Sequence, residues 1–208
     1  MLNVTVLVSG GGTNLQALLD AQARGEIKDG RIHCVISSKP DAYALQRAHH
    51  AGIDTEVIIR KEYATAEEYD KALVCLLKKH DTDLIVLAGF MTIIGKYVVE
   101  SYPNRIINVH PALIPSFCGK GYYGLHVHRA ALDAGVKVTG ATVHLVNEVC
   151  DGGPILLQKA VEVKADDTPE TLQRRVMEEA EWNLLPKAVS LFCQGKIQVQ
   201  NGKAIIKE

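Results

Sequence analysis

The amino-terminal segment constrains the fold of this chain more than any other stretch. An apolar run at residues 4–8 ends in the sequence Ser-Gly-Gly-Gly-Thr-Asn at 9–14, and leucines then recur at helical spacing over 15–19. A strand, a glycine turn and a helix in this order are typical of the first unit of an open parallel sheet. We therefore expect an α/β fold in which helices cover both faces of a mostly parallel, twisted sheet.

The alternation of strand and helix patterns continues along the chain. Further strands are predicted at residues 31–37, 55–60, 84–88 and 106–109, with helices between them at 43–51, 66–80 and 92–102. Beyond residue 115 the pattern predicts a glycine-containing loop at 116–124, a helix at 126–134, strands at 139–146 and 155–163, a helix from 168 to about 193, and a hairpin at 197–206. Pro186 is the candidate position for a kink in the last helix.

Composition and charge narrow the functional classes. The chain has 208 residues, 47% of them apolar, and a formal net charge of −1, so it lacks the basic field of a nucleic-acid-binding protein. Its five cysteines are scattered without C-x-x-C spacing, which indicates a reducing, cytoplasmic compartment. The amino terminus lacks the basic region of a secretory signal, and the uncharged run at 84–95 is too short to span a bilayer. We expect neither a nucleic acid nor a membrane as partner.

The glycine turn has the features of an anion site. Three successive glycines let backbone N–H groups approach an anion, and the following helix adds its positive end with Thr13 and Asn14 as side-chain donors. Leu15 replaces the third glycine of the dinucleotide fingerprint, and no Gly-Lys-Ser/Thr follows at P-loop spacing. A single phosphate therefore fits better than a dinucleotide or ATP. A tight turn without a ligand remains the alternative.

A second motif lies at the end of the strand predicted at 106–109. Asn108 and His110 are two residues apart, so they share one face of the strand, and Pro111 ends the strand. An amide donor beside an imidazole suits a carbonyl that becomes an oxyanion. The alternative is a strand terminus with two satisfied polar residues.

The sequence Asp-Gly-Gly-Pro at 151–154 supplies a carboxylate on a constrained loop between two strands. If that loop meets the end of the Asn108 strand, Asp151 can pair with His110 and favour its imidazolium form. His144 lies on an alternating strand and can face the same place. A turn aspartate without a catalytic role is the alternative for Asp151.

Other chemically capable residues lack the patterns that a site requires. His126 and His128 have no third ligand at a recognised spacing, so we expect no metal there and interpret both as structural or rim residues. Cys118 and Cys150 have no evident base, so no cysteine nucleophile is predicted.

Taken together, these segments resemble the phosphoribosylglycinamide formyltransferases, folate-dependent enzymes of purine biosynthesis. The resemblance covers almost the whole chain. It rests on VLVSGGGTNLQALLDA at 6–21, DLIVLAGFM at 83–91, INVHPALIPSF at 107–117, GATVHLVNEVCDGGPILLQ at 140–158, and the helix with Glu181 before Leu-Pro at 185–186.

The resemblance implies a single domain, 1–208, with a Rossmann-like sheet and antiparallel strands towards the carboxyl terminus. A phosphoribosyl-binding half would span about 1–105, and a catalytic and folate-binding half about 106–208. It implies formyl transfer from 10-formyltetrahydrofolate, as co-substrate, to the amine of glycinamide ribonucleotide, without a metal, by a monomer or a homodimer. Direct attack by the amine would be assisted by Asn108 and His110 at the oxyanion, with Asp151 handling the proton.

The resemblance also assigns the remaining site residues by position. Those similar to the family's phosphate and glycinamide contacts are Gly11, Gly12, Thr13, Asn14 and Glu181. Those similar to its folate pocket are Phe90, Met91, Thr92, Ile93, Ile94, Val146, Asn147, Val149 and Cys150. Thr142 and His144 match positions that line the site.

The chain departs from the family pattern at two positions. Thr92 stands where many members carry an arginine, so one folate contact is in doubt. Ala66 stands where many carry a phosphate-binding arginine, for which Arg60 or Lys61 could substitute. Phosphate affinity is therefore the property that the sequence leaves least certain.

Several other functions remain as alternatives. Methionyl-tRNA formyltransferases share the Asn-x-His-Pro core but carry a basic surface and a further carboxyl-terminal barrel, for which this chain is expected to be too short. Formyltetrahydrofolate hydrolases carry an amino-terminal regulatory domain, for which a first strand so near residue 1 leaves no room. A non-enzymatic sugar-phosphate-binding module would not require Asn108, His110 and Asp151 to converge, and an incomplete fingerprint argues against a dinucleotide oxidoreductase.

Overall fold

Seven strands form one mixed sheet in the computed structural model, which describes residues 1–207. The strands of this sheet are β1 (Leu2–Val8), β2 (Gly30–Ser37), β3 (Asp54–Val57), β4 (Leu84–Leu87), β5 (Ile106–His110), β6 (Val138–Leu145) and β7 (Ile155–Glu162). Their spatial order is β3-β2-β1-β4-β5-β6-β7. The first five are parallel, whereas β6 runs antiparallel to both β5 and β7. The mostly parallel sheet expected from the sequence is confirmed, with its antiparallel strands towards the carboxyl terminus.

Helices cover both faces of this sheet. They are α1 (Thr13–Ala23), α2 (Tyr43–His50), α3 (Ala66–Lys79), α4 (Lys96–Ser101), α5 (Leu125–Asp133), α6 (Pro169–Val176) and α7 (Trp182–Cys193). Side chains of β1 alternate between two apolar cores: Val4 and Val6 pack in the core that includes α1 and α7, and Leu7 packs in the core that includes α3. Burial on both faces explains why the central strands are nearly continuous apolar runs.

Two predicted elements are shorter in the structure. The strand predicted at 55–60 is β3, which ends at Val57, and a 3₁₀ turn follows at Arg60–Glu62. The helix predicted at 92–102 is α4, which begins only at Lys96. The carboxylate of Asp70, on α3, lies beside the backbone N–H groups of Gly95 and Tyr97, which partly offset the effect of burial on its pKa. This contact at the start of α4 comes from another helix, so the local sequence pattern does not contain it.

The long helix predicted from residue 168 is interrupted at a different position from the one expected. It begins as predicted, with a capping box between Thr168 and Thr171. A single π turn at Met177–Glu181 then separates α6 from α7, and Pro186 lies inside α7 without ending it. The regular i→i−4 hydrogen bonds are already interrupted at the π turn. Pro186, which has no N–H to donate, lies shortly after this interruption.

A small antiparallel hairpin completes the described chain. Strands β8 (Ile197–Gln200) and β9 (Lys203–Ile206) are joined by Asn201 and Gly202, both with positive φ, as a two-residue hairpin turn requires. This confirms the hairpin predicted at 197–206. None of the helices within residues 1–207 has the length and apolar character that crossing a membrane requires.

Candidate active site

Three strands end at the same edge of the sheet and bring the predicted motifs together. Leu7 of β1 pairs with Leu87 of β4, and Leu87 pairs with Asn108 of β5. The glycine turn, the segment after β4 and the Asn108 motif therefore follow three adjacent strands, each about 5 Å from the next. Ligands of open α/β sheets bind at this edge, where the chain order of the strands reverses.

Asn108 and His110 share one face of β5, as predicted. Their neighbours Ile107 and Val109 point into the core on the opposite face. The antiparallel register of β5 and β6 adds His144 beside Asn108 and Thr142 beside His110. The amide nitrogen of Asn108 lies 3.1 Å from Nε2 of His144.

Asp151 approaches both histidines from the loop that joins β6 to β7. Its carboxylate oxygens lie 3.6 Å from Nδ1 of His110 and 3.6 Å from Nε2 of His144. The Asp151 side chain is 10% exposed, and the backbone N–H of Gly119 donates to it over 2.8 Å. Asp151, about forty residues along the chain from Asn108 and His110, thus lies with them and His144 around one point.

Burial and neighbouring charges together set the electrostatics of this group. Burial tends to raise the pKa of Asp151, but the His144 side chain, the Gly119 N–H and the neighbouring imidazoles outweigh it and lower the pKa to about 2. Burial is also the largest influence on His110; it lowers the pKa of the ring despite the Phe117 carbonyl and the Asp151 charge. The Asp151 charge favours the imidazolium form of His110, as expected, but burial outweighs it in this structure and lowers the pKa.

The predicted loop at 116–124 covers the histidine. The carbonyl of Phe117 lies 2.8 Å from Nε2 of His110. Together with the contact from Gly119 to Asp151, this bond places the loop directly over the two groups. Thr142 contributes indirectly: its buried hydroxyl donates to the carbonyl of Ala112 and accepts from the N–H of Ile114, so it shapes the chain that leads into this loop.

His128 of α5 is buried beside the same group. Burial, with a smaller influence from His110, lowers the pKa of its ring to about 4. Neither ring nitrogen has a hydrogen-bond partner within residues 1–207. His126, by contrast, is exposed and packs edge-on against Tyr123. Both positions agree with the structural and rim roles expected for them.

The glycine turn has the conformation that a backbone cradle needs. Gly12 has φ +73°, and a Cβ there would lie 2.7 Å from the Cβ of Ala44, so only glycine fits. The carbonyl of Gly11 accepts a 2.8 Å hydrogen bond from Nε of Arg47. Sequence reasoning missed this arginine, because it lies on α2 and reaches the turn only through the fold.

Glu181 lies against the start of α1. Its carboxylate accepts a 2.6 Å hydrogen bond from the amide of Asn14, and the hydroxyl of Thr13 lies 3.7 Å from the sulfur of Met177. Burial raises the pKa of Glu181 to about 7, against the opposing effect of Asn14. A buried carboxyl that titrates near neutrality beside an anion cradle is a feature of functional sites.

The residues assigned to the folate pocket form two neighbouring segments. Met91 follows β4, where its N–H donates to the hydroxyl of Ser9 over 2.8 Å, and Ile93 is 83% exposed. Val149 is exposed on the 147–151 loop. Lys96, next to the first segment, lies 3.9 Å from Glu148 in the second. The two segments thus present apolar side chains beside the group formed by Asn108, His110 and Asp151.

The remaining folate-pocket residues lie within or next to these segments. Asn147 shapes its loop by accepting the N–H of Val149 and donating to the carbonyl of Gly152. The thiol of Cys150 lies 3.8 Å from the Asp151 carboxylate. Thr92 continues the first segment as a non-helical residue, and the side chains that pack partly into the core beneath the segments are those of Phe90, Ile94 and Val146.

Comparison with known proteins agrees with this arrangement. The formyl transferase family matches residues 2–189. Phosphoribosylglycinamide formyltransferase of Escherichia coli (strain K12) is 39% identical over 98% of this chain and 92% of its own length. The human trifunctional purine biosynthetic protein adenosine-3 is 43% identical over 96% of this chain, which spans 19% of that protein.

Solved structures give the same result. Glycinamide ribonucleotide transformylase 1 from Symbiobacterium toebii superposes with a TM-score of 0.94 at 42% identity, over 100% of this chain and 95% of that one. A formyltetrahydrofolate deformylase from Pseudomonas syringae superposes with a TM-score of 0.88 at 26% identity, over 100% of this chain and 66% of that one. The chain therefore belongs to the formyl transferase family, and within that family its similarity lies with the phosphoribosylglycinamide formyltransferases.

Proposed function

We propose that this protein transfers the formyl group of 10-formyltetrahydrofolate to the amine of glycinamide ribonucleotide, in purine biosynthesis. One observation carries the proposal: Asn108, His110 and Asp151 converge at the sheet edge that also presents the glycine turn. A module that only bound a sugar phosphate would have no need of this convergence.

In this proposal the phosphate of the ribonucleotide lies at the glycine turn, in the half of the chain before residue 106. The N–H groups of Gly11 and Gly12, the Thr13 hydroxyl and the positive end of α1 face the anion. Arg47 supplies the nearby positive charge that the sequence lacked at Ala66. Asn14, at the start of α1, is a further side-chain donor near the phosphate, and Glu181, which packs against it, contacts the glycinamide portion of the substrate.

The folate lies against the exposed apolar side chains of Met91, Ile93 and Val149. These suit a flat heterocycle, and the polar groups of the 147–151 loop suit its edge. The folate supplies a formyl group already activated on nitrogen. We assign no metal to this step, since a primary amine is a competent nucleophile.

The protein's own groups assist the transfer of charge and proton. A bond forms between the amine nitrogen and the formyl carbon, the bond from that carbon to the folate nitrogen breaks, and one proton leaves the amine as the folate nitrogen gains one. The amide of Asn108 and an N–H of His110 stabilise negative charge on the formyl oxygen, a contribution of about 10²–10³ in rate per donor. Asp151, ionised at neutral pH, receives the amine proton directly or through water.

The negative charge that develops on the formyl oxygen adds to the charge of Asp151 in favouring the protonated ring of His110, whose N–H donates to that oxygen. Nε2 of His110 faces the Phe117 carbonyl in this structure, so the loop at 116–124 must give up that contact when the formyl oxygen takes it. The nearby Asp151 carboxylate then stabilises the increased charge on the ring.

A formyl-transfer assay tests the function. The purified protein is mixed with glycinamide ribonucleotide and 10-formyltetrahydrofolate, and release of tetrahydrofolate is measured with and without the amine. We expect release to depend on the ribonucleotide. Release at the same rate in water alone would instead support a hydrolase, the activity named for the Pseudomonas syringae neighbour.

We further propose that the protein works in the cytoplasm as a monomer or a homodimer. The scattered cysteines support the reducing compartment. Analytical ultracentrifugation of the purified protein would give the oligomeric state.

A further inference from the structure

Three potential metal ligands meet at the amino-terminal edge of the parallel sheet, away from the candidate active site. They are His33 of β2, Asp54 at the start of β3, and His80 immediately after α3. Each offers one ligand atom, and these atoms all lie within 4.8 Å of one another. The sequence pattern gave no indication of this cluster, because its members are far apart in the chain.

A β-bulge turns His33 towards the other two. In the pairing of β1 with β2, Val4 pairs with Ile32 and Thr5 pairs with Cys34, so His33 is the extra residue. Ile32 packs in the core on one face of the sheet and Cys34 in the core on the other. The bulge interrupts the alternation of side chains at His33, which is the usual means of redirecting one side chain from a strand.

The ring of His80 is held in place by a carboxylate. Oε1 of Glu56, on β3, lies 3.0 Å from Nε2 of His80, and it also contacts Nζ of Lys79 at 2.7 Å. The His33 and His80 ring centroids are 6.1 Å apart. A carboxylate that contacts a histidine ring is the common second partner of metal-binding histidines, because it orients the ring and raises its basicity.

We propose that His33, Asp54 and His80 bind one divalent transition-metal ion such as Zn²⁺. Two imidazoles and a carboxylate are ligand types that Zn²⁺ takes, with water as a fourth ligand. Tetrahedral Zn²⁺ brings its ligand atoms to about 3.3 Å from one another, so a shift of at most about 1.5 Å closes the cluster. Asp54 is exposed, which leaves its side chain free to make that adjustment.

Bound metal would join three elements that are otherwise separate in sequence. It would connect the edge strand β3 to its neighbour β2 and to the end of α3. Binding to the folded state alone raises the free energy of unfolding. The site is therefore a structural clip, and it is independent of whether formyl transfer is the protein's function.

Isothermal titration of the chelator-treated protein with Zn²⁺ tests the proposal, with Co²⁺ absorption as a second measurement. We expect one Zn²⁺ per chain and a higher melting temperature. His33→Gln and His80→Gln should each weaken binding at least about 100-fold, and Glu56→Gln about 10–100-fold. Asp54→Asn, at an exposed position, keeps the test valid if a histidine variant fails to fold.

A double variant, His49→Gln with His50→Gln, is the matched control. It removes two exposed imidazoles from α2, whose rings are 6.3 Å apart, and should bind Zn²⁺ as the unmodified protein does. The proposal is overturned if millimolar Zn²⁺ gives no binding, or if binding survives His33→Gln and Asp54→Asn. Binding lost in His144→Gln but kept in His33→Gln would assign the ion to the candidate active site and would also overturn it.

Discussion

Asp151 combines a buried position with a charge that persists at neutral pH. Its carboxylate has left bulk water, yet the imidazoles and the Gly119 N–H keep its pKa at about 2. A carboxylate held ionised beside a reacting amine can accept a proton throughout the physiological range. The same negative charge opposes the effect of burial on His110.

Replacing Asp151 with asparagine should therefore affect chemistry more than binding. We expect Asp151→Asn to lower kcat by about 10²–10⁴ with a smaller change in KM, as loss of general base assistance does. Without the carboxylate the pKa of His110 falls further. Any change in activity at low pH that follows protonation of His110 should therefore move to lower pH. Steady-state kinetics between pH 5 and 9 measure both effects; an unchanged kcat would exclude the assigned role.

Glu181 makes the stability of the protein depend on pH in the opposite sense from a salt-bridged carboxylate. Its pKa is raised to about 7 by burial, so the folded state holds a proton that the unfolded state has released above about pH 4.3. Its contribution to stability is therefore full at low pH and is lost as pH rises towards 7.

Glu181→Gln should remove this loss, because glutamine keeps the oxygen that accepts from Asn14 and carries no charge. We expect the variant to unfold like the unmodified protein at about pH 4 and to be more stable at pH 8, by up to ~3 kcal/mol. Urea unfolding at the two pH values measures the difference. Glu179→Gln, an exposed neighbour on the same turn, is the control; an identical response from both variants would count against the raised pKa.

At the residue scale, the sequence predicted those site residues whose arrangement depends only on their neighbours in the chain. The spacing of Asn108 and His110 sets their common face in any strand, and Asp-Gly at 151 predicts a turn. Arg47 and His33 could not be found in this way. The first reaches the glycine turn from another helix, and the second depends on a bulge that no residue pattern marks.

Among the elements, the turn between β1 and α1 contains glycines that differ in whether a side chain could replace the hydrogen. At Gly12 the backbone is left-handed and a Cβ would meet Ala44, whereas a Cβ at Gly10 would have no heavy atom within 4 Å. We expect Gly12→Ala to lower the free energy of unfolding by about 1–3 kcal/mol, because both strain and overlap arise.

Gly10→Ala is the matched control and should change stability by less than about 0.5 kcal/mol. Chemical denaturation of both variants, with KM for the ribonucleotide in parallel, makes the comparison. Equal stability of the two variants would show that the close contact at Gly12 relaxes at little cost.

The predicted ends of helices were wrong where the observed ends involve contacts with another element. The start of α4 lies against Asp70 from α3, and the break in the last helix is a π turn that contains Glu181, the partner of Asn14, rather than a kink at Pro186. By contrast, the caps at Thr65 and Thr168 are contained within a few residues of sequence, and helices begin there as the pattern predicts. Local signals were sufficient only where the deciding contact was local.

For the molecule as a whole, the free energy needed to open the backbone should decrease from the central strands to the terminal hairpin. Val4–Leu7 of β1 are buried and pair on both sides, with β2 and β4. The hairpin β8–β9 has only one internal pairing and is largely exposed. Backbone amides of β1 should exchange with solvent only through global unfolding, and those of the hairpin through local opening.

Native-state hydrogen exchange at increasing denaturant checks this order. The exchange free energy of β1 should equal the free energy of global unfolding, and that of β8–β9 should be lower by several kcal/mol. Equal protection of the two regions would mean that the hairpin unfolds cooperatively with the sheet.

The π turn at Met177–Glu181 makes the position of the buried Glu181 side chain depend on the number of residues in this helix. In a regular α-helix each residue advances about 100° around the axis. Loss of a single residue from this stretch would allow an unbroken helix, and would rotate either Glu181 or the apolar face of α7 away from its present neighbours. A substitution in this turn leaves the direction of the other side chains unchanged, whereas a deletion does not. Among related sequences, insertions and deletions should therefore be far rarer here than changes of residue type.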